Sequence, residues 1–204
     1  TSMVINGVNV GNASSVTIGG DVATIVSNTN SEITVTVPAG AGGVVSVTTP
    51  GGTVTSVESV TINPMPTASI SGTVTVCEGA AAQLITFTGA NGTAPYTFTY
   101  QINQSGNFNV TTTSGDSVTL EVDASLPGVY DYILISVQDS STSFCTNPQS
   151  GNATVTVNAN VTYYADTDED TFGDLNNPAI SCMGAPEGYV ANSTDCDDTD
   201  GTIY

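Results

Sequence analysis

The 204-residue sequence contains no Lys, no Arg, no His and no Trp, and its 19 Asp and Glu residues give a formal charge of −19. Each absence removes a class of function. With no cationic side chain to neutralise phosphates, nucleic acid is excluded as a main partner. Electrostatic attachment to anionic lipid is excluded with it. With no imidazole there is no Ser-His-Asp or Cys-His site. There is no Schiff-base lysine, no P-loop lysine, no guanidinium clamp and no bond for trypsin to cut. A lysine isopeptide cross-link cannot form within the chain. No apolar run reaches the ~18 residues of a membrane span, so direct membrane insertion is not expected. Charged residues make up only 9% of the chain, against about 25% in ordinary soluble domains. Thr, Ser, Asn and Gly must therefore supply most of the polar surface, and any chemistry rests on carboxylates, hydroxyls, thiols or backbone.

What is present falls into three stretches. Residues 1–63 alternate apolar and Thr/Ser residues between turn signals: Val16-Thr17-Ile18, Gly19-Gly20-Asp21, Val22 to Val26, Glu32 to Pro38, Val44 to Thr48 and Thr53 to Ile62. Period-two patterning, β-branched residues and Gly/Pro punctuation predict short antiparallel strands, and no helical stretch competes. Asn63-Pro64-Met65-Pro66 reads as a stiff boundary, since proline pins φ and keeps the preceding residue out of helix. Residues 64–158 carry seven further strand patterns: Ala68–Ile70, Val74–Cys77, Gln83–Gly89, Tyr96–Ile102, Ser117–Val122, Gly128–Val137 and Ala153–Val157. Seven strands in about 90 residues suit an immunoglobulin-like sandwich. The tyrosines are expected to pack in the core or on a sheet rather than to form a sugar-binding platform. The fold class is thus all-β: tandem immunoglobulin-like β-sandwiches followed by a small, loop-rich module over residues 159–204.

Two resemblances attach to these stretches. The order Asn6-Gly7, Val16 to Gly20, Ile33 to Gly40 and Val47 to Gly52 resembles the IPT/TIG family of immunoglobulin-like sandwiches over about 60 residues. That family has one more strand upstream of Thr1, so the domain is expected to be truncated or completed by another segment, and its edge could accept a strand. Ile70 to Cys77, Gly92 to Phe98 and Gly128 to Tyr132 resemble PKD-like domains. These recur in large adhesins of Bacteroidetes-type bacteria, exported by the type 9 pathway, with gliding motility among their associations. The chain opens mid-pattern and stops abruptly, so it is expected to be part of a longer mature protein whose neighbouring domains are its partners.

Ten of the acids lie in residues 158–204. Asp166, Asp168, Asp170 and Asp174 stand at relative positions 1, 3, 5 and 9, with Phe172 at 7. In a calcium loop, positions 1, 3 and 5 offer side-chain oxygens, 7 a backbone carbonyl, and 9 a direct or water-mediated ligand. Alternate side chains of a tightly curled loop converge on its inner side. An all-oxygen, highly charged set selects a hard cation, Ca²⁺ before Mg²⁺. Two positions depart from the calcium-loop pattern: Thr171 stands where Gly is wanted at 6, and Asn177 where an acid is wanted at 12. The missing ligands are expected from Asp195, Asp197, Asp198 and Asp200. The two strings together resemble thrombospondin type 3-like and related bacterial metal-binding repeats. The matches fall at Tyr163, Tyr164, Asp166, Asp168, Asp170, Gly173 and Asp174, then at Asp195, Cys196, Asp197, Asp198, Asp200 and Tyr204. The resemblance implies calcium and more than one ion. Glu169 and Thr171 replace glycines of that family, which puts the turn geometry in question while leaving the ligands.

Cys77, Cys145, Cys182 and Cys196 allow three pairings. Cys77–Cys145 and Cys182–Cys196 are the expected pair, because each would close within one stretch. The alternative is buried free thiols. Disulfides imply a secreted, extracellular cell-surface setting. The function expected is a non-catalytic stalk segment of a surface adhesin, stiffened by calcium and disulfides. Two alternatives stand beside it: a calcium-dependent tip that binds a cell-surface or glycan target, and a subunit of a strand-exchanged filament. A carboxylate-pair glycosidase is disfavoured, since there is no Trp for stacking and metal would lower the pKa values it needs raised.

Overall fold

The computed structural model describes residues 1–203, which contain eighteen β-strands and no helix. The chain divides into two compact units, Thr1–Pro64 and Met65 onward.

The first unit holds β1 (Ser2–Asn6), β2 (Ser15–Ile18), β3 (Asp21–Asn28), β4 (Glu32–Thr36), β5 (Gly43–Thr49) and β6 (Gly52–Val60) in the order β1-β4-β3-β2-β5-β6. Every neighbour pair is antiparallel. The sheet folds on itself along β3, which pairs β2 through Asp21–Ala23 and β4 through Thr24–Asn28. The alternation in the sequence then places Ile33, Val35 and Ile25 against Val16, Ile18, Val45 and Val47 in one core. β1 pairs only with β4, and β6 only with β5, so both present an open edge. β6 is almost wholly exposed.

The second unit begins with a sandwich. Its strands are β7 (Thr67–Ser71), β8 (Val74–Cys77), β9 (Gln83–Ala90), β10 (Thr97–Ile102), β11 (Ser105–Thr111), β12 (Ser117–Val122), β13 (Gly128–Gln138), β14 (Thr146–Pro148) and β15 (Asn152–Asn158). One layer reads β12-β9-β7 and the other β11-β10-β13-β15-β8, with β14 on β13. The chain changes layer between β7 and β8 at Gly72, whose φ of +121° and closeness to the Leu84 carbonyl leave no room for a side chain. β8 then runs parallel to β15, with Cys77 opposite Asn158. Tyr130, near the start of β13, donates its hydroxyl to Leu126 O at 3.0 Å. That is the tyrosine corner of immunoglobulin-like sandwiches. Phe87, Phe98, Tyr100 and Tyr132 fill the core, with Phe87 and Tyr100 ring centroids 5.1 Å apart. Burial holds the Tyr100 and Tyr132 phenols above their ordinary pKa. All seven strand patterns read from residues 64–158 are strands. The additional β11 escaped because Ser, Gly, Asn and Thr outnumber its two apolar residues, Phe108 and Val110, and the strand is tied across to β10 by Thr97–Thr111 and Thr99–Asn109 hydrogen bonds.

Three short strands follow: β16 (Val161–Ala165), β17 (Asp174–Ser181) and β18 (Tyr189–Val190), ordered β17-β16-β18. The loop-rich module of residues 159–204 thus also holds a small sheet. β17 is mostly exposed, so it carries no apolar alternation to read.

The disulfide pairing is corrected. The bond joins Cys77 to Cys182, with Cα atoms 5.4 Å apart. Cys145 and Cys196 are unbridged. The expected pairs assumed that each stretch closes on itself. Instead the ends of β8 and β15 lie side by side and hand the chain directly to β16. The loop after β17 returns to that same corner, where Asn158 Nδ2 donates to Cys182 O at 3.2 Å. Glu78 N–H donates to Asn158 O at 2.9 Å, and Asn160 Nδ2 to Glu78 O at 3.1 Å. Closing a loop of about 100 residues is worth about 4.7 kcal/mol in the chain-entropy model. The bridge fastens the small sheet, which has few buried residues of its own, to the sandwich.

Candidate metal centre

β16 delivers the chain to Asp166, whose N–H donates to Gly188 O at 2.9 Å. The next residues curl through successive Asx turns, in which an Asp carboxylate caps a nearby backbone N–H. Asp168 Oδ1 accepts from Asp170 N–H at 3.3 Å, and Asp170 Oδ1 from Phe172 N–H at 2.9 Å. Asp166 Oδ2 reaches across the loop to Thr171 N–H at 3.2 Å. The curl needs left-handed backbone at Glu169 (φ 65°) and Thr171 (φ 78°). These are the two positions where the resembling repeats carry glycine. The turn geometry is therefore kept by non-glycine residues, at a steric cost of about 1–2 kcal/mol for each.

The loop closes on Gly173, which is buried. A Cβ there would lie 2.7 Å from Tyr164 Cβ, 2.8 Å from Asn192 O and 2.9 Å from Val190 Cγ2. That close approach lets residues 192–198 dock. Asn192 Nδ2 donates to Thr171 O at 3.0 Å, and Asp195 N–H donates to Gly173 O at 3.2 Å. Asp198 accepts the Thr167 N–H at 2.7 Å and the Thr167 hydroxyl at 2.6 Å.

Two groups of carboxylates result among the described residues. Asp166, Asp168 and Asp170 each place an oxygen within 4.8 Å of the others, and so do Asp168, Asp195 and Asp198. Asp168 belongs to both. Each Asx turn occupies one oxygen and leaves its twin turned inward. Asp166 Oδ1, Asp168 Oδ2, Asp170 Oδ2 and Asp195 Oδ2 are closed to solvent and accept no hydrogen bond. Burial first, then the charges of Asp170, Asp195 and Asp198, hold the Asp168 carboxyl above its ordinary pKa, against the opposing Asp170 N–H. Anionic oxygens without a donor are costly to bury, and this sequence has no side-chain cation to serve them.

The other expected ligands are placed differently. Asp174 lies outside both groups and turns Oδ1 onto Asn176, although its backbone bridges to Asp195. Asp197 and Asp200 are exposed, with Oδ1 on the hydroxyls of Thr199 and Thr202. Phe172 sits in the loop with its N–H on Asp170. Tyr204 lies outside the described residues. Sequence reasoning missed Thr167 and Asn192. The Asn192-Ser193-Thr194 turn, in which Asn192 Oδ1 accepts from Thr194 N–H and hydroxyl at 3.0 Å, was a readable Asx-turn signal. Thr167 carries no such mark.

No family model matches the chain, and no curated protein matches it. Among solved structures, one resembling it is described as a Ca²⁺-stabilised adhesin that helps an Antarctic bacterium reach out and bind ice. It is 18% identical, with 82% of this chain and 48% of that chain covered and a TM-score of 0.34. The present chain thus spans about half the length of that adhesin. Another is the IG1 and IG2 segment of DIP-gamma, 12% identical, with 78% of this chain and 88% of that chain covered and a TM-score of 0.39. Likenesses at these TM-scores carry no argument about the site, whose reading rests on its own geometry.

Proposed function

We propose that the chain is a non-catalytic, extracellular stalk segment whose last module is ordered by calcium. The observation that carries this reading is the set of four solvent-shielded, donorless carboxylate oxygens on Asp166, Asp168, Asp170 and Asp195. The donor set fits a hard divalent cation: every converging group is oxygen, and no thiol or imidazole competes. When bound, Ca²⁺ would supply the positive charge that this sequence lacks. Asp166, Asp168 and Asp170 would hold it from the loop after β16, and Asp195 and Asp198 from the returning segment. Asp168 joins the two arms. Binding and ordering of the module are then one equilibrium, so metal affinity appears as folding free energy.

The Cys77–Cys182 bond supports an oxidising, extracellular setting. The solvent-shielded oxygens favour a structural ion over one that bridges to a glycan, which needs an open face. A second reading, strand exchange between copies, is favoured by the first unit. Between its open edges runs an apolar groove of about 260 Å³ lined by Ile5, Val8, Val10, Val45, Val47 and Val54, and Val57 on β6 is 99% exposed.

Thermal unfolding and chymotryptic digestion, each in millimolar CaCl₂ and in EDTA, test the calcium reading. EDTA is expected to expose Tyr163, Tyr164 and Tyr189 to cleavage while residues 67–158 stay resistant. Identical melting and digestion in the two conditions would refute it. Light scattering over a range of concentrations tests strand exchange, with a strictly monomeric chain counting against it.

A further inference from the structure

We propose that the Cys77–Cys182 bridge is a load bypass that keeps residues 78–181 out of any tension applied along the second unit. The inference rests on the stalk reading above, and the topology supplies its parts. Tension entering at Met65 runs into β7 and β8. Both are already extended, so they carry force with little lengthening. Cys77 ends β8, and there the covalent path leaves the backbone and re-enters it at Cys182, 105 residues later. The segment between contains β9 to β17. That includes Ile85, Phe87, Phe98, Tyr100, Leu134 and Val155 at the centre of the sandwich core. None of these strands can be drawn out by end-to-end tension while the bridge holds, although their pairings with β7 and β8 remain in the load path.

The compliant element is then the chain after Cys182, whose regular structure among the described residues is the two-residue β18 and one bridge from Asp195 to Asp174. Its attachments all reach back to the shielded segment. Tyr189 and Val190 pair with Ala165 and Tyr164. Asp195 N–H bonds Gly173 O, and Asp198 takes both donors of Thr167. Asp195 and Asp198 lie on the loaded side, while Asp166, Asp168 and Asp170 lie on the shielded side. The two carboxylate groups therefore meet across the load path, and an ion shared through Asp168 is a clasp at the one place where the bypass leaves the chain free to peel.

Single-molecule pulling of the whole chain, tethered at both ends, tests this. With 105 residues of separation at about 3.5 Å each, about 370 Å of contour is expected to stay hidden in the oxidised protein. It should appear when the same protein is pulled in reductant, and in the Cys77→Ser/Cys182→Ser chain. In CaCl₂, apart from the roughly 220 Å released by the first unit, the oxidised protein should release about 75 Å of chain after Cys182, and EDTA should lower the force of that release without uncovering the hidden contour. Full extension of the second unit in the oxidised protein, or equal extension with and without reductant, would overturn the bypass. Hidden contour with a release force indifferent to EDTA would sustain the bypass and overturn the calcium clasp.

Discussion

Thr171→Gly is expected to strengthen the module, although it removes side-chain atoms and places glycine in a loop. Thr171 sits at φ 78°, where a β-branched residue is a true outlier. The clash of Cβ with the following carbonyl costs about 1–2 kcal/mol. Glycine gives back about 0.5–1 kcal/mol through the greater entropy of the unfolded chain. The net gain is about 0.5–1 kcal/mol, or roughly a two- to fivefold change in an equilibrium constant. The Thr171 side chain is exposed, and its structural hydrogen bonds run through backbone: its N–H to Asp166 and its carbonyl to Asn192. Those bonds survive the substitution. Calorimetric Ca²⁺ titration should therefore show tighter binding by that factor, and thermal unfolding in CaCl₂ a higher midpoint. Thr171→Ala keeps its Cβ and should recover less. A Thr171→Gly chain that binds calcium more weakly than the parent would show that the left-handed turn is not what shapes the site.

Gly173→Ala should act in the opposite sense, because its methyl would lie within 3 Å of Tyr164, Asn192 and Val190. Undocking of residues 192–198, read as faster amide exchange there and weaker calcium binding, is the outcome that checks it. Asp139 is 3% exposed and accepts from Thr93 N–H, the Ser141 hydroxyl and Cys145 N–H. Burial alone would raise its pKa, but those hydrogen bonds outweigh it and hold the carboxyl below its ordinary value. The stability it contributes is thus complete above the unfolded carboxyl pKa of about 3.9 and lost as pH falls through the depressed folded value. Asp139→Asn should cost about 2–4 kcal/mol near neutral pH by leaving donors unpaired, and denaturant titrations of the two chains should converge in acid. Alkylation of the unfolded, unreduced chain followed by peptide mapping should mark Cys145 and Cys196 only. Marked Cys182 would contradict the bridge.

The sandwiches were legible because their strands bury one face. Val16, Ile18, Ile33, Val35, Ile85, Phe87 and Val155 all sit on a two-residue period that a β pleat converts directly into a core. β11 and β17 were not legible, since strands with polar or exposed faces on both sides lack that period. The clustering of carboxylates was legible at Asp166, Asp168 and Asp170, where alternation alone brings oxygens together. It was less legible in the second string. There the fold selects Asp195 and Asp198 through backbone docking on Gly173 and Thr167 and leaves Asp197 and Asp200 exposed. The disulfide was misread for the same kind of reason. Which cysteines meet depends on a corner formed by the ends of β8, β15 and β17, and no local pattern encodes a meeting of three distant segments.

Calorimetric titration of Ca²⁺ into the whole chain and into the Asp168→Asn chain tests the central claim most directly. Asp168 is the residue common to both carboxylate groups. The expected result is saturable binding by the parent and a loss of about tenfold or more in affinity for the variant, in line with the cost of disturbing a metal site. Saturable binding that Asp168→Asn leaves unchanged, or none in the parent, would contradict the claim.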